Sequence, residues 1–372
     1  MIIGVPRERK QGECRVALTP DGAAQLTAKG HKVIIERAAG DLSGFTDQEY
    51  LAAHAEIRGS LAEVWGEAEL LVKVKEPAPE ELPLCRAGLA VFSFLHPAVA
   101  PELVEALVGS KAIGLDYDLV TLDDGRLPIL EPMSVIAGKL SIQAGAAALQ
   151  SGTGGRGVLL GGAPGVRPAK VVVVGAGAAG SSAARVALGM GAQVTILDVN
   201  LDRLQPFASG VLHASTLFSS PQAISREIHD ADLVIGSVLI PGALAPKLIS
   251  RAQLQTMKHG AVIVDICIDQ GGFAESSHAT SIAHPTFIES SVVHYCVPNM
   301  PALVPRTSTL ALTNATYRWI DSIATLGVKE AIRRLKPLRR SLISYDGHLT
   351  NSVVGDALGR SSMTAEQVDK MI

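Results

Sequence analysis

Three glycines, Gly175, Gly177 and Gly180, stand at G-x-G-x-x-G spacing, and an acid, Asp198, follows 18 residues after the last of them. This set is suited to holding a dinucleotide. Gly175 permits a tight turn, and Gly177 lets a pyrophosphate approach the backbone. Gly180 lets a helix pack close to the preceding strand, with its N-terminus facing the phosphates. Asp198 would accept hydrogen bonds from the adenosine ribose hydroxyls and repel a 2′-phosphate, so NAD is expected in preference to NADP. The competing reading is a glycine-rich turn of an α/β fold that holds no nucleotide.

Four further polar residues lie where ligands gather in parallel α/β sheets, beyond the carboxyl ends of strands. Lys75 follows LLVKV, His96 follows VFSFL, Asp269 follows VIVDICI, and Arg15 lies in the loop after the first strand. Each alone is more often a cap or a solvated loop residue. Together they suit the oxidation of an amino or hydroxy acid. Arg15 offers a bidentate fork for a carboxylate. Lys75 offers a point charge beside a developing carbonyl or imine, His96 titrates near neutrality, and Asp269 could orient or accept a proton from an amine or water.

The elements that must position these groups can be read from the same chain. Residues 171–174 are four valines, a buried β-branched strand. A helix of small residues over 181–190 stops at Gly191, and a strand over 193–197 ends in Asp198. Before this motif, strands are expected at 2–5, 32–36, 69–74 and 89–95. Thr19-Pro20 opens a helix ended by Gly30, and a helix over 47–55 is capped by Thr46. Helical periodicity covers 130–149. Further strands are expected at 232–239, 261–268 and 292–297, then a long helix from Pro305 through residues 311–331. A turn at Asp346-Gly347 and a last helix from about Asn351 close the pattern. Alternating strands and helices imply parallel sheets with right-handed crossovers. The fold class expected is α/β: two Rossmann-like, doubly wound parallel-sheet domains with an active-site cleft between them. Residues 1–130 plus 305–372 form the substrate domain, and 131–304 the NAD-binding domain.

A chain of 372 residues suits about two domains. Hydrophobic residues make up 47% and mean hydropathy is +0.28, ample for aliphatic cores. A net charge of −3 gives no reason to expect nucleic acid as a partner. No apolar run reaches the roughly 18 residues that would suggest a membrane span, and the N-terminus does not read as a signal peptide. Four scattered cysteines without a C-x-x-C fit reduced thiols in the cytoplasm. No metal ligand set is expected.

Several stretches in order carry a resemblance to a known family: IGVPRERKQGECRVALTP, LLVKVKEP, FSFLH, PILEPMSVIAGKLSIQAGA, GGRGVLLGGAPGV, VVVGAGAAG, VDICIDQGG and VPNMPALVPRTST. They resemble the alanine dehydrogenase family, which is related to the NAD-binding subunit of proton-translocating transhydrogenase. The resemblance spans nearly the whole chain. It implies reversible, NAD-dependent oxidative deamination of L-alanine to pyruvate and ammonia, with hydride passing from Cα to nicotinamide C4. It also implies a homohexamer. The family's substrate and catalytic residues carry over to Arg15, Lys75, His96 and Asp269. Its nucleotide contacts carry over to Ser134, Gly175, Gly177, Gly180 and Asp198, and those around the nicotinamide to Val238, Leu239, Asp269, Asn299 and Met300. Some positions depart from the pattern. Asp118 is one methylene shorter than the usual glutamate, residues 146–148 lack an aromatic, and Phe273, Ala274, Glu275 and His278 differ after Asp269. Two other classes compete: a transhydrogenase-type NAD-binding subunit that deaminates nothing, and a non-catalytic NAD-binding protein. Retention of Lys75, His96 and Asp269 argues against both.

Overall fold

Short runs of β-branched and aliphatic residues form the strands. The computed structural model describes residues 1–209, 214–238 and 244–371. In chain order the first strands are β1 (Ile2–Val5), β2 (Lys32–Glu36), β3 (Glu56–Arg58), β4 (Leu70–Val72), β5 (Ala90–Ser93) and β6 (Ile113–Asp116). Then come β7 (Lys170–Val174), β8 (Gln193–Asp198), β9 (Ser215–Phe218), β10 (Leu233–Gly236), β11 (Val262–Asp265), β12 (Thr286–Glu289) and β13 (Val292–Tyr295). β14 (Leu342–Tyr345) and β15 (His348–Leu349) are last. The chain divides into two compact units, Met1–Met133 with Ala302–Ile372, and Ser134–Pro301.

In the first unit the described strands form one sheet in the order β15-β14-β6-β5-β4-β1-β2-β3. β1 to β6 run parallel, while β14 pairs antiparallel with β6 and β15 with β14. The β14–β15 turn is made by Asp346 (φ 46°) and Gly347 (φ 83°). Two consecutive left-handed residues are what a two-residue hairpin of the right twist requires. Helix starts follow their capping chemistry. Thr19 accepts from Gly22 N–H ahead of Pro20–Ala28, and Thr46 and Ser60 each form a capping box with the glutamate three residues on. The apolar side chains between sheet and helices include Leu71, Val91, Val64, Trp65 and Leu107, all fully buried.

In the second unit the order is β12-β13-β11-β10-β7-β8-β9, parallel except for β12. The parallel strands run 3-2-1-4-5-6, and those of the first unit, β3-β2-β1-β4-β5-β6, have the same order. Both are doubly wound. Alternation along β7 shows why both faces are covered: Val171 and Val173 enter one core with Ile196 and Ile235, and Val172 and Val174 enter the other with Leu197 and Ile263. Close backbone approach is built in with glycine. A Cβ on Gly138, in the helix Leu130–Ala148, would lie 2.0 Å from the Ala179 carbonyl oxygen.

Some elements differ from the sequence pattern. The helix after Pro305 stops at Leu326, because Gly327 at φ 81° cannot continue it, and Val328–Arg334 starts afresh. β3, β9 and β12 are only three or four residues long and carry too little periodicity to read in advance. Among the described residues no helix is long and apolar enough to cross a membrane.

Candidate functional site

In the second unit β7 delivers the chain into Gly175 at φ 100°, where any side chain would be strained and a Cβ would meet the Ser237 carbonyl oxygen at 2.6 Å. Gly177 is the N-cap of the helix Ala178–Gly189, and a Cβ there would meet nothing within 4 Å. The space in front of the helix N-terminus is therefore open. Gly180 sits against the strand-to-helix turn, so a Cβ would fall 1.8 Å from the Gly175 carbonyl oxygen. Asp198 closes β8 with its side chain buried. Oδ2 accepts from Ala176 N–H at 2.6 Å and Oδ1 from Asn200 N–H at 2.7 Å, which ties the acid to the glycine turn. Arg203 Nη1 lies 3.9 Å from Oδ2. A turn that admits only glycine, an open helix N-terminus and an acid at the next strand end fit NAD: pyrophosphate on the amides and ribose on Asp198.

The other residues expected around the nucleotide lie in the same unit. Ser134 stands one helical turn before Gly138, in the helix that abuts Ala179. Val238 N–H donates to Cys267 Sγ at 3.1 Å. Asn299, left-handed at φ 53°, donates its N–H to Asp269 Oδ2 at 3.0 Å. Met300 is buried in the core beside β7. Asp269 itself is exposed, in the turn Ile268–Gln270 after β11. Leu239 lies outside the described residues.

The first unit holds Arg15, Lys75 and His96. Arg15 is buried, with Nε donating to Glu13 Oε1 at 2.7 Å and Nη2 to Glu13 Oε2 at 2.6 Å. Its Nη1 faces Met133 Sδ at 3.1 Å. The guanidinium fork is therefore already seated on an internal carboxylate. Arg15 and Glu13 also line a cavity of about 360 Å³ together with Arg7, Glu8 and Asp41. Lys75 is buried, and its backbone N–H donates to Glu8 Oε2 at 3.3 Å.

His96 takes a left-handed conformation, φ 46°, just before Pro97. Nδ1 lies 3.0 Å from Glu76 Oε2, and Nε2 lies 3.5 Å from Asp118 Oδ2. Behind Asp118, Asp116 is buried, and its Oδ1 accepts from both Leu95 N–H and Asp118 N–H. Burial, and then the charge of Asp118, push the Asp116 carboxyl up to about 7. Burial likewise raises Asp118, against the pull of His96 and Lys75. Burial would also raise Glu76, but the hydrogen bond and charge of His96, with Lys10 and Lys75, hold it well below the usual carboxylate range. Lys75, Glu76, His96, Asp116 and Asp118 thus form one electrostatic cluster at the ends of β4, β5 and β6.

Sequence reasoning passed over several of these partners. Glu13 and Glu76 sit beside basic residues in charged loops, where nothing local marks either acid. Lys73, inside the run LLVKV, is fully buried, with Nζ 3.0 Å from Glu81 Oε1 and 3.4 Å from Glu8 Oε2. The available signal was a lysine inside an apolar strand run, which demands a buried counter-charge.

The comparisons with known proteins agree in direction. Residues 4–137 match the family model "Alanine dehydrogenase/PNT, N-terminal domain", and residues 141–352 match "Alanine dehydrogenase/PNT, C-terminal domain". A curated alanine dehydrogenase from Mycobacterium tuberculosis is 48% identical, covering 96% of this chain and 97% of its own. Alanine dehydrogenase 2 from Staphylococcus aureus is 46% identical over 99% of both chains. Among solved structures an L-alanine dehydrogenase superposes with a TM-score of 0.92 at 43% identity, covering 96% of this chain and 99% of that one. A transhydrogenase from Sinorhizobium meliloti shares the fold, with a TM-score of 0.82 at 23% identity over 94% and 100%.

Proposed function

Because the chain belongs to the alanine dehydrogenase/PNT family, we infer that it is an NAD-dependent alanine dehydrogenase, converting L-alanine to pyruvate and ammonia reversibly. The observation that carries this reading beyond nucleotide binding is the cluster of Lys75, Glu76, His96 and Asp118 in the first unit. A binding module needs only the glycine turn and Asp198.

The division of labour we propose follows from the groups present. Residues 1–130 with 305–372 bind the substrate, and 131–304 bind NAD. Arg15, whose Nε and Nη2 fork is seated on Glu13, takes the L-alanine carboxylate with its remaining N–H donors together with Lys75, and Lys75 polarises the carbonyl of pyruvate. When bound, NAD supplies the hydride acceptor, nicotinamide C4. Ser134, Gly175, Gly177, Gly180, Asp198, Val238, Leu239, Asn299 and Met300 would hold it. Once the amine is neutral and Cα has lost hydride, water adds to the substrate iminium. His96 manages the proton of the oxygen that becomes the pyruvate carbonyl. Asp269 orients ammonia or water and balances the iminium charge. A homohexamer belongs to the same reading and rests on the family resemblance, and a cytoplasmic location rests on the four scattered cysteines. Light scattering on the purified protein checks the first, with a monomer mass as the contrary result.

The test is NADH formation with L-alanine, beside glycine, L-serine, L-lysine and buffer alone. Activity with L-alanine is expected, and no NADH above buffer with any amino acid would leave a nucleotide-binding protein instead. Cofactor choice follows from Asp198. Its buried carboxylate should repel a 2′-phosphate, and Arg203 stands ready to attract one. Asp198→Ala should narrow the NAD-to-NADP ratio of kcat/KM by at least about tenfold, the value of one modest charge contact. An unchanged ratio would place the discrimination elsewhere.

A further inference from the structure

His96 is gripped at both ring nitrogens, and the two grips differ. At Nδ1 stands Glu76, whose Oε2 lies 3.0 Å away, while its Oε1 takes Lys10 Nζ at 2.5 Å. One carboxylate oxygen thus faces a cation and the other faces the imidazole. An ionised carboxylate only accepts hydrogen bonds, so Nδ1 must carry a proton in either charge state of the ring. At Nε2 stands Asp118, 3.5 Å away. A bare imidazole nitrogen and a bare carboxylate oxygen repel, so one proton belongs between them.

Building on the alanine dehydrogenase reading, we propose that Glu76 is a positioning residue for His96. It fixes the proton on Nδ1 and so makes Nε2 the atom that exchanges a proton with substrate, and Asp118 holds that proton until substrate enters. Several groups face this pair from the surrounding elements. Glu76 and Lys75 come from the loop after β4, Lys10 from the loop after β1, and Asp116 and Asp118 from the end of β6 and the turn after it. The ring of Phe94 stacks on the imidazole at 6.1 Å. The left-handed backbone at His96 limits how the ring can re-aim, so its orientation depends on these side-chain contacts. Glu76 carries the anchor because it is ionised throughout the working range, whereas Asp118 and Asp116 are held toward their protonated forms.

The experiment compares Glu76→Gln and Asp118→Asn with the native protein by two independent readouts. The first is the pH profile of kcat/KM for L-alanine oxidation. Without the Glu76 charge the imidazolium loses support, so the acidic limb should move down by about one unit, the scale of one lost counter-charge. The rate should fall roughly 10- to 10²-fold, because the amide admits the wrong tautomer. The second is 15N–1H correlation NMR on histidine-labelled protein, with His96→Gln assigning the signal. The Nδ1–H form should dominate in the native protein and in Asp118→Asn, and be lost in Glu76→Gln. A native tautomer and a native pH limb in Glu76→Gln would overturn the proposal. If the native enzyme does not oxidise alanine, the functional reading fails, and the tautomer spectrum still decides the role of Glu76.

Discussion

Replacing His96 with alanine should lower kcat for L-alanine oxidation by about 10²-fold or more, the scale of a lost acid/base group. NAD affinity should stay near native. The structural grounds are the position of the imidazole and the partners it leaves behind. His96 sits at the end of β5, with Glu76 and Asp118 on its two nitrogens. Its substitution removes the imidazole that Glu76 and Asp118 hold between them. The glycine turn and Asp198, proposed to hold NAD, belong to the other unit, so cofactor affinity is the control. Steady-state rates from pH 7 to 10 with NAD titration by fluorescence make the measurement. Near-native oxidation across that range would reduce His96 to a structural residue and rule out its role as the proton carrier.

The second large effect is on stability. Lys73→Met should destabilise the fold by about 3–5 kcal/mol, the usual cost of removing one partner from a buried charge network. For a unit of this size that corresponds to a Tm fall on the order of 10 °C. Lys73 is fully buried between Glu8 and Glu81. Burial alone would push its ammonium down, but the two carboxylates carry it above the ordinary lysine value. Glu8 goes the opposite way to what its cation would impose: burial outweighs the attraction of Lys73, and its carboxyl is raised. A carboxyl that is higher in the folded than in the unfolded chain keeps more protons in the fold, so its contribution falls as pH rises through it. Without Lys73 that rise grows. The deficit of Lys73→Met should therefore be largest near pH 8 and shrink toward pH 5, and a pH-independent deficit would contradict the network. Adding Glu8→Gln and Glu81→Gln should recover part of the loss at pH 8.

Much of the fold was legible because local chemistry and tertiary structure agree. Four consecutive valines could only be a strand buried on both faces, and Thr19-Pro20 and Thr46 announced their helices. The strand-end positions of Lys75, His96 and Asp269 were legible for the same reason: an apolar run stops and a polar residue follows. Other features had no local signal. The turn at Asp346-Gly347 could be read, but β14 owes its place in the sheet to pairing with β6, more than two hundred residues earlier, and β15 to pairing with β14. The side chains of Glu13 and Glu76 fold back on Arg15 and His96, and a charged loop gives no sign of which acid will do so. Lys73 was hidden inside the apolar run that Lys75 ends, and only the packed fold shows its buried carboxylate partners Glu8 and Glu81.

The pairing of β14 with β6 also bears on how the chain is made. The second unit is one continuous stretch and can close its sheet soon after residue 301 has left the ribosome. The first unit has to wait. Until residues 342–345 emerge, β6 presents an open row of backbone donors and acceptors, the sort of edge on which nascent chains pair with one another. Asp116 N–H has no Ser341 carbonyl to meet, and Gly114 N–H no Ser344 hydroxyl. The strand that leads into the Asp116–Asp118 turn is thus secured late in synthesis. A nascent chain from which residue 301 has emerged but residue 342 has not would display a closed second unit tethered to a first unit whose sheet is still open at β6.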